Sequence, residues 1–192
     1  VLTRSDVVLK MAYIAWMTND IRLREELCTY LPALESYNRA SYIGIVLART
    51  ESKVEQEYVL QSLGDRSADI RDEAYKVLSE MSLSPEQYQH IEELLRFKYS
   101  EMRINAINLL MKQPEAQLAA SIRRLLSDKN AERRLAGLDM MKSIRNVDFL
   151  KDSYQELLST VREIQKPNAK EKILIESLIG DGTEQSPTSN YT

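Results

Sequence analysis

A leucine followed eight residues later by an arginine recurs four times along this 192-residue chain, as Leu31/Arg39, Leu63/Arg71, Leu95/Arg103 and Leu126/Arg134. Both columns advance in steps of 32, 32 and 31 residues. Self-similarity at such a period marks supersecondary units that cannot bury their apolar faces alone and bury them on a neighbour instead. The clearest unit, LRFKYSEMRINAINLLM at residues 95–111, reads as a helix end, a turn and a second helix. The period therefore predicts an all-α chain of about five helix pairs.

The columns around the arginines say how such pairs would stack. Three residues after them stand Tyr42, Ala74, Ala106 and Gly137, and seven after them Val46, Leu78, Leu110 and Met141. Steps of three and four residues put these positions on one helix face with the arginine. Small residues at the first position admit a neighbouring helix, and large ones at the second fill the core. Nothing alternates with a period of two over a useful length, so no strand is expected.

Punctuation sets the helix limits. Asn19 and Asp20 separate a first helix, residues 5–17, from a second starting at Ile21. Pro32 and Ser36 precede an apolar helix over 37–49, whose Gly44 suits close helix packing at a cost of roughly 1 kcal/mol of propensity. Residues 53–63 form a polar helix with Val54, Val59, Leu60 and Leu63 inward. Ser84-Pro85-Glu86-Gln87 is a capping box with proline at the first helical position, opening a helix to Phe97. Further helices are expected from Ser100 to Lys112, from Pro114, over 131–144, over 146–162 (the longest) and over 168–179. Residues 180–192 are polar and aperiodic and read as a disordered tail or linker.

The run Leu-Leu-x-Asp-x5-Arg-x2-small-x3-large, seen best from Leu125-Leu126-Ser127-Asp128 to Met141, resembles HEAT-type repeats of the short kind also found in bilin lyases. Residues 63–78 match it with Ser62 in place of the first leucine. The resemblance covers residues 31–158; Phe97 replaces the turn aspartate in one unit, and Lys166-Pro167 stands where a last arginine would be. It implies a right-handed α-α superhelix over residues 1–179, the first helix being half of an upstream repeat. It also implies a structural ladder, in which Asp65 meets Arg71 and Arg103, and Asp128 meets Arg134 or Arg103, with Arg39 in the same column. Arginine-bearing helices would line the concave side. Their outward columns are then Gly44, Lys76, Asn108 and Asp139, followed by Ala48, Glu80, Lys112 and Ser143. Lys76, Glu80, Asn108, Lys112 and Asp139 are the expected partner-binding residues.

Chemistry is sparse. His90 is the sole histidine and Cys28 the sole cysteine, so neither a histidine-rich metal site nor a disulfide framework can form. No phosphate-binding glycine loop or nucleophile elbow occurs. No cofactor, metal or catalytic residue is expected. Carboxylate groups such as Glu92/Glu93 read as solvated faces. Net charge is −3 and one tryptophan is present, which disfavours a nucleic-acid groove such as that of the HEAT-type alkylpurine DNA glycosylases. That class remains the alternative. The leading expectation is a non-catalytic scaffold that binds a protein or peptide on a curved face, with no membrane association. Cys28 and the absence of a signal peptide point to the cytoplasm. The chain starts without methionine and reads as excised from something longer. Its first helix has Lys10 as the only charge between Val7 and Met17. Val7, Val8, Met11, Ile14 and Trp16 are therefore expected to pack on an upstream repeat or on a second copy.

Overall fold

The computed structural model describes residues 3–98, 100–147 and 150–180. Among them the chain forms eleven α-helices and one 3-10 turn, and no strand. The helices are α1 (Arg4–Thr18), α2 (Ile21–Cys28), α3 (Ser36–Val46), α4 (Lys53–Ser62), α5 (Ala68–Ser79), α6 (Pro85–Leu94), α7 (Ser100–Leu110), α8 (Glu115–Leu126), α9 (Ala131–Ile144), α10 (Lys151–Arg162) and α11 (Ala169–Gly180). The tail expected after Gly180 lies outside the described residues. No described helix is long and apolar enough to cross a membrane.

Local chemistry explains several of the boundaries. Thr3 and Asp6 form a reciprocal capping box on α1: the Asp6 amide donates to the Thr3 hydroxyl, and the Thr3 amide donates to the Asp6 carboxylate at 2.8 Å. Asn19 ends α1 in the left-handed region (φ 51°), a conformation asparagine tolerates better than most residues. Asp20 then accepts from the amides of Arg22 and Leu23 to start α2. Ser84 and Gln87 cap α6 reciprocally.

Three helices fall short of an expected end by three residues or more. The third ends at Val46 rather than Arg49, and the Thr50 amide turns back to the Leu47 carbonyl. α6 ends at Leu94 rather than Phe97, where 3-10-type bonds from Leu95, Arg96 and Phe97 tighten the last turn. The helix expected over 146–162 begins only at Lys151; the Val147 amide turns back to the Ile144 carbonyl, and the Leu150 amide donates to the Val147 carbonyl. The longest described helix is instead α1, with 15 residues.

The chain divides into two compact units, one ending at Tyr88 and the other beginning at Gln89. In the first, α2 lies against α4 and α3 against α5, while α1 rests on α2, the 3-10 turn (Leu31–Ala33) and α3. Leu27, Leu31, Ile43, Leu47, Leu60, Ile70 and Leu78 form its fully buried centre. In the second, α8 packs on α9 and α10, and α9 also meets α7 and α11. Leu95, Leu110, Ile122, Leu125 and Met141 are fully buried there. All four leucines of the repeat column, Leu31, Leu63, Leu95 and Leu126, are at most 3% exposed. Each contributes about 2 kcal/mol by leaving water.

Candidate functional site

The first unit carries a concave apolar surface between α1 and α3. Its volume is about 690 Å³, and its walls include Leu9, Tyr13 and Trp16 from α1 and Asn38, Tyr42 and Ile45 from α3. On each helix these residues fall at i, i+4 and i+7, one stripe along one side. Val8, Ala12 and Ala15 form the neighbouring stripe of α1 and are buried against the unit. That fixes which way the groove-lining stripe faces. The walls are open to solvent: Ile45 is 66% exposed, Tyr13 59% and Trp16 48%. Tyr13 and Trp16 pack ring against ring at 5.8 Å.

A buried ion pair holds the far end of this trough. Arg24, on α2, donates through Nε and Nη2 to the two carboxylate oxygens of Glu55 on α4, both at 2.8 Å. The same guanidinium donates to Oδ1 of Asn19 at 2.7 Å and to the Val46 carbonyl at 3.3 Å. Asn19 terminates α1 and Val46 terminates α3, so one arginine ties the ends of both walls. Glu55 is fully buried and also accepts from the Thr50 hydroxyl. A carboxylate withdrawn from water this completely is tolerated only when its lone pairs are met.

Sequence reasoning missed this hub. Val54 was expected inward, but it is 49% exposed, and Glu55 takes the inward direction with Val59 and Ser62 at i, i+4 and i+7. The available signal was an arginine 31 residues before the glutamate, close to the repeat period. Glu92, expected as part of a solvated pair, is likewise 2% exposed in the second unit. It binds Arg124 at 2.6 Å and accepts from the Ser121 hydroxyl at 2.6 Å.

The expected ladder residues have the following partners. Arg39 Nη2 lies 2.6 Å from the Asp65 carboxylate. Arg71 donates to the carbonyls of Asp65 and Arg66, at 2.9 and 3.0 Å. Arg134 repeats that gesture on the carbonyls of Asp128 and Lys129, both at 2.9 Å, and adds a two-point grip on Glu171. Asp128 was expected to meet Arg134 or Arg103; Arg134 reaches its carbonyl, while its carboxylate lies 3.0 Å from Arg133. Both aspartates accept the amide two residues on, from Ser67 and Asn130, so their geometry is set by the turn. Arg103 pairs within its own unit with Asp139 at 2.6 Å and donates to the Glu132 carbonyl at 3.0 Å.

Of the expected partner-binding columns, Lys76 and Glu80 are exposed in the first unit, and Asn108 and Lys112 in the second. Lys76 is held by Glu73 at 2.6 Å. Asp139, partly exposed, serves as the counter-ion of Arg103. On α1, Val7, Met11, Ile14 and Trp16 are exposed, at 37–51%. Val8 was expected in the same set but is buried by its own chain, because it lies on the stripe with Ala12 and Ala15. Cys28 is buried as well, and burial together with the nearby Glu55 charge pushes its thiol up to about 12. Among the described residues no group of three or more His, Cys, Asp or Glu side chains could hold a metal ion.

The molecule is thus an all-helical protein with a solvent-open apolar trough and buried arginine–glutamate clasps. The chain belongs to a family of unknown function, DUF5724, whose family model matches residues 1–191. No curated protein and no solved structure matches it.

Proposed function

We propose that the chain is a non-catalytic protein-interaction module, built from HEAT-like helical hairpins stacked in a right-handed superhelix, and that the α1–α3 trough is its binding face. The repeat reading is supported within each unit: α2 lies beside α4, α3 beside α5, and α9 beside both α7 and α11, as successive hairpins would place them. The buried leucine column supports it too.

The observation that carries the binding reading is the exposure of Tyr13, Ile14, Trp16 and Ile45 around one concavity. Contiguous open apolar surface of this kind marks interaction sites, whereas scattered single residues do not. The trough stands open to solvent along α1 and α3. Its lining is apolar rather than lysine- and arginine-rich, which favours a polypeptide over a phosphate backbone.

A photo-crosslinking residue in place of Ile45, in the full-length protein in its own cells, tests this. Polypeptide adducts are expected at position 45 and not when the same residue replaces Glu80. Equal yields at both positions, no adduct at position 45, or adducts to nucleic acid alone, would overturn the reading.

A further inference from the structure

We infer that the trough receives an amphipathic α-helix of a protein partner whose flank is acidic; this rests on the interaction reading above. The shape argument comes first. Seven residues separate the first and last wall positions on each helix, which at 1.5 Å per residue gives stripes about 10 Å long, or two turns. A second hollow, lined by Asn19, Ile21, Ile45, Val46, Ala48 and Arg49 among others, continues the trough through the shared Ile45 and Val46. It brings the C-terminal ends of α1 and α3 together, so the two walls run in the same direction. Two such helices with apolar stripes turned toward one channel offer ridges between which a third helix lies. The occupant presents apolar anchors at i, i+3 or i+4, and i+7.

The charge argument selects the kind of helix. The two hollows are lined by the cations Lys10, Arg24 and Arg49 and by one carboxylate, Glu51. Arg24 is already neutralised by the buried Glu55. The remaining balance is positive at the lips of an otherwise apolar channel. Acidic residues flanking the anchors of the incoming helix complement it, and basic ones are repelled. Charges at such a rim act mostly on partner choice and association rate. A small-molecule site, by contrast, gathers several polar groups at its floor to fix a ligand's orientation. Here Asn38 and Ser41 are both on α3, and Lys10 stands apart from them on α1.

Trp16 is the only tryptophan of the chain and stands in the wall, so its emission reports occupancy directly. The probe is a synthetic tryptophan-free peptide of about 18 residues, long enough to be helical. It carries leucine anchors at i, i+3 and i+7 and glutamates on both flanks, and its counterpart carries lysines there. The glutamate peptide is expected to shift Trp16 emission to the blue, saturably, and to bind about tenfold more tightly than the lysine peptide at low salt. Ile45→Asp, on an exposed position and checked for unchanged helicity, abolishes the shift. Lys10→Glu narrows or reverses the preference between the peptides.

Equal affinity for both peptides, or a preference for lysine, overturns the acidic-helix inference. So does a shift that appears on raising the protein concentration alone, which assigns the trough to a second copy. A shift seen only with phosphatidylcholine vesicles assigns it to a membrane surface and has the same consequence. If neither peptide moves Trp16 while crosslinking at position 45 still recovers a polypeptide, this inference falls and the interaction reading survives.

Discussion

Arg134 on α9 grips Glu171 on α11 with two nitrogens, Nε at 2.7 Å and Nη2 at 3.2 Å from the carboxylate oxygens, across 37 residues of chain. Glu171 is fully buried and the arginine side chain 14% exposed. The pair is a fork-to-fork contact of the kind that fixes geometry as well as charge.

Removing one partner of such a pair strands a charge in the interior. Arg134→Ala is therefore expected to cost about 3–5 kcal/mol in urea unfolding. Replacing both, as Arg134→Met with Glu171→Leu, should cost much less than the two single changes together. Additive losses in that double-mutant cycle would show that the two residues act independently.

Two glycines provide a contrast in packing. A Cβ at Gly137 would sit 3.1–3.2 Å from the side chains of Leu126 and Leu125, within the tight α8–α9 contact. Gly137→Ala is expected to lose about 1 kcal/mol net, since overpacking costs 1–3 kcal/mol and the gain in helix propensity returns only part of it. The nearest atoms a Cβ at Gly44 would meet all belong to the flexible side chain of Glu73. Gly44→Ala should leave stability unchanged or raise it, and thermal unfolding of both variants separates the two cases.

Alkaline pH should weaken the fold through Cys28. Burial first, then the charge of Glu55, raise its thiol from 9.0 to about 12. The folded state thus keeps a proton that the unfolded state releases. The stability linked to that proton is intact below pH 9 and is lost progressively as pH rises toward 12. Tyr58, raised from 10.0 to about 12 mainly by burial, acts in the same direction. Urea midpoints measured from pH 8 to 10.5 should fall, and less steeply in Cys28→Ala. At pH 8 a thiol reagent should label the native protein far more slowly than the unfolded chain.

Acid should loosen the start of α1. The Thr3 amide first, and the Thr3 hydroxyl second, hold the Asp6 carboxyl below its ordinary 3.8. A depressed carboxylate contributes stability that is present above 3.8 and lost as pH falls through the lower folded value. Amide exchange at Asp6 and Val7, which donate to Thr3, is expected to accelerate at the acid end of that window. Asp6→Asn should exchange faster at neutral pH and lose most of this acid response.

The leucine column was legible because burial at Leu31, Leu63, Leu95 and Leu126 is enforced by one recurring environment, which leaves a period in the sequence. The arginines were legible as a column, but most of their partners were not. Arg39 and Arg134 find acids from different structural places, a turn aspartate in one case and the third residue of a helix in the other. No fixed spacing links those positions. Glu55 and Glu92 were hidden for a related reason: by residue type alone a carboxylate looks solvated, and only the helix register turns it inward. The apolar flank of α1 was visible because it has few charges, yet Val8 had to be separated from Val7 by a rotation of 100°. Helix ends were misjudged where tight turns consumed residues compatible with helix, as at Asn146–Val147.

Glu171 also accepts from the Asn168 amide at 2.7 Å, while its own amide donates to the Asn168 side chain. One carboxylate thereby seals the first turn of α11 and latches that helix to α9. Opening of this first turn and detachment from α9 are therefore coupled, since both draw on Oε2 of the same carboxylate. Once that first turn opens, α11 should therefore come away from α9 as one piece rather than residue by residue.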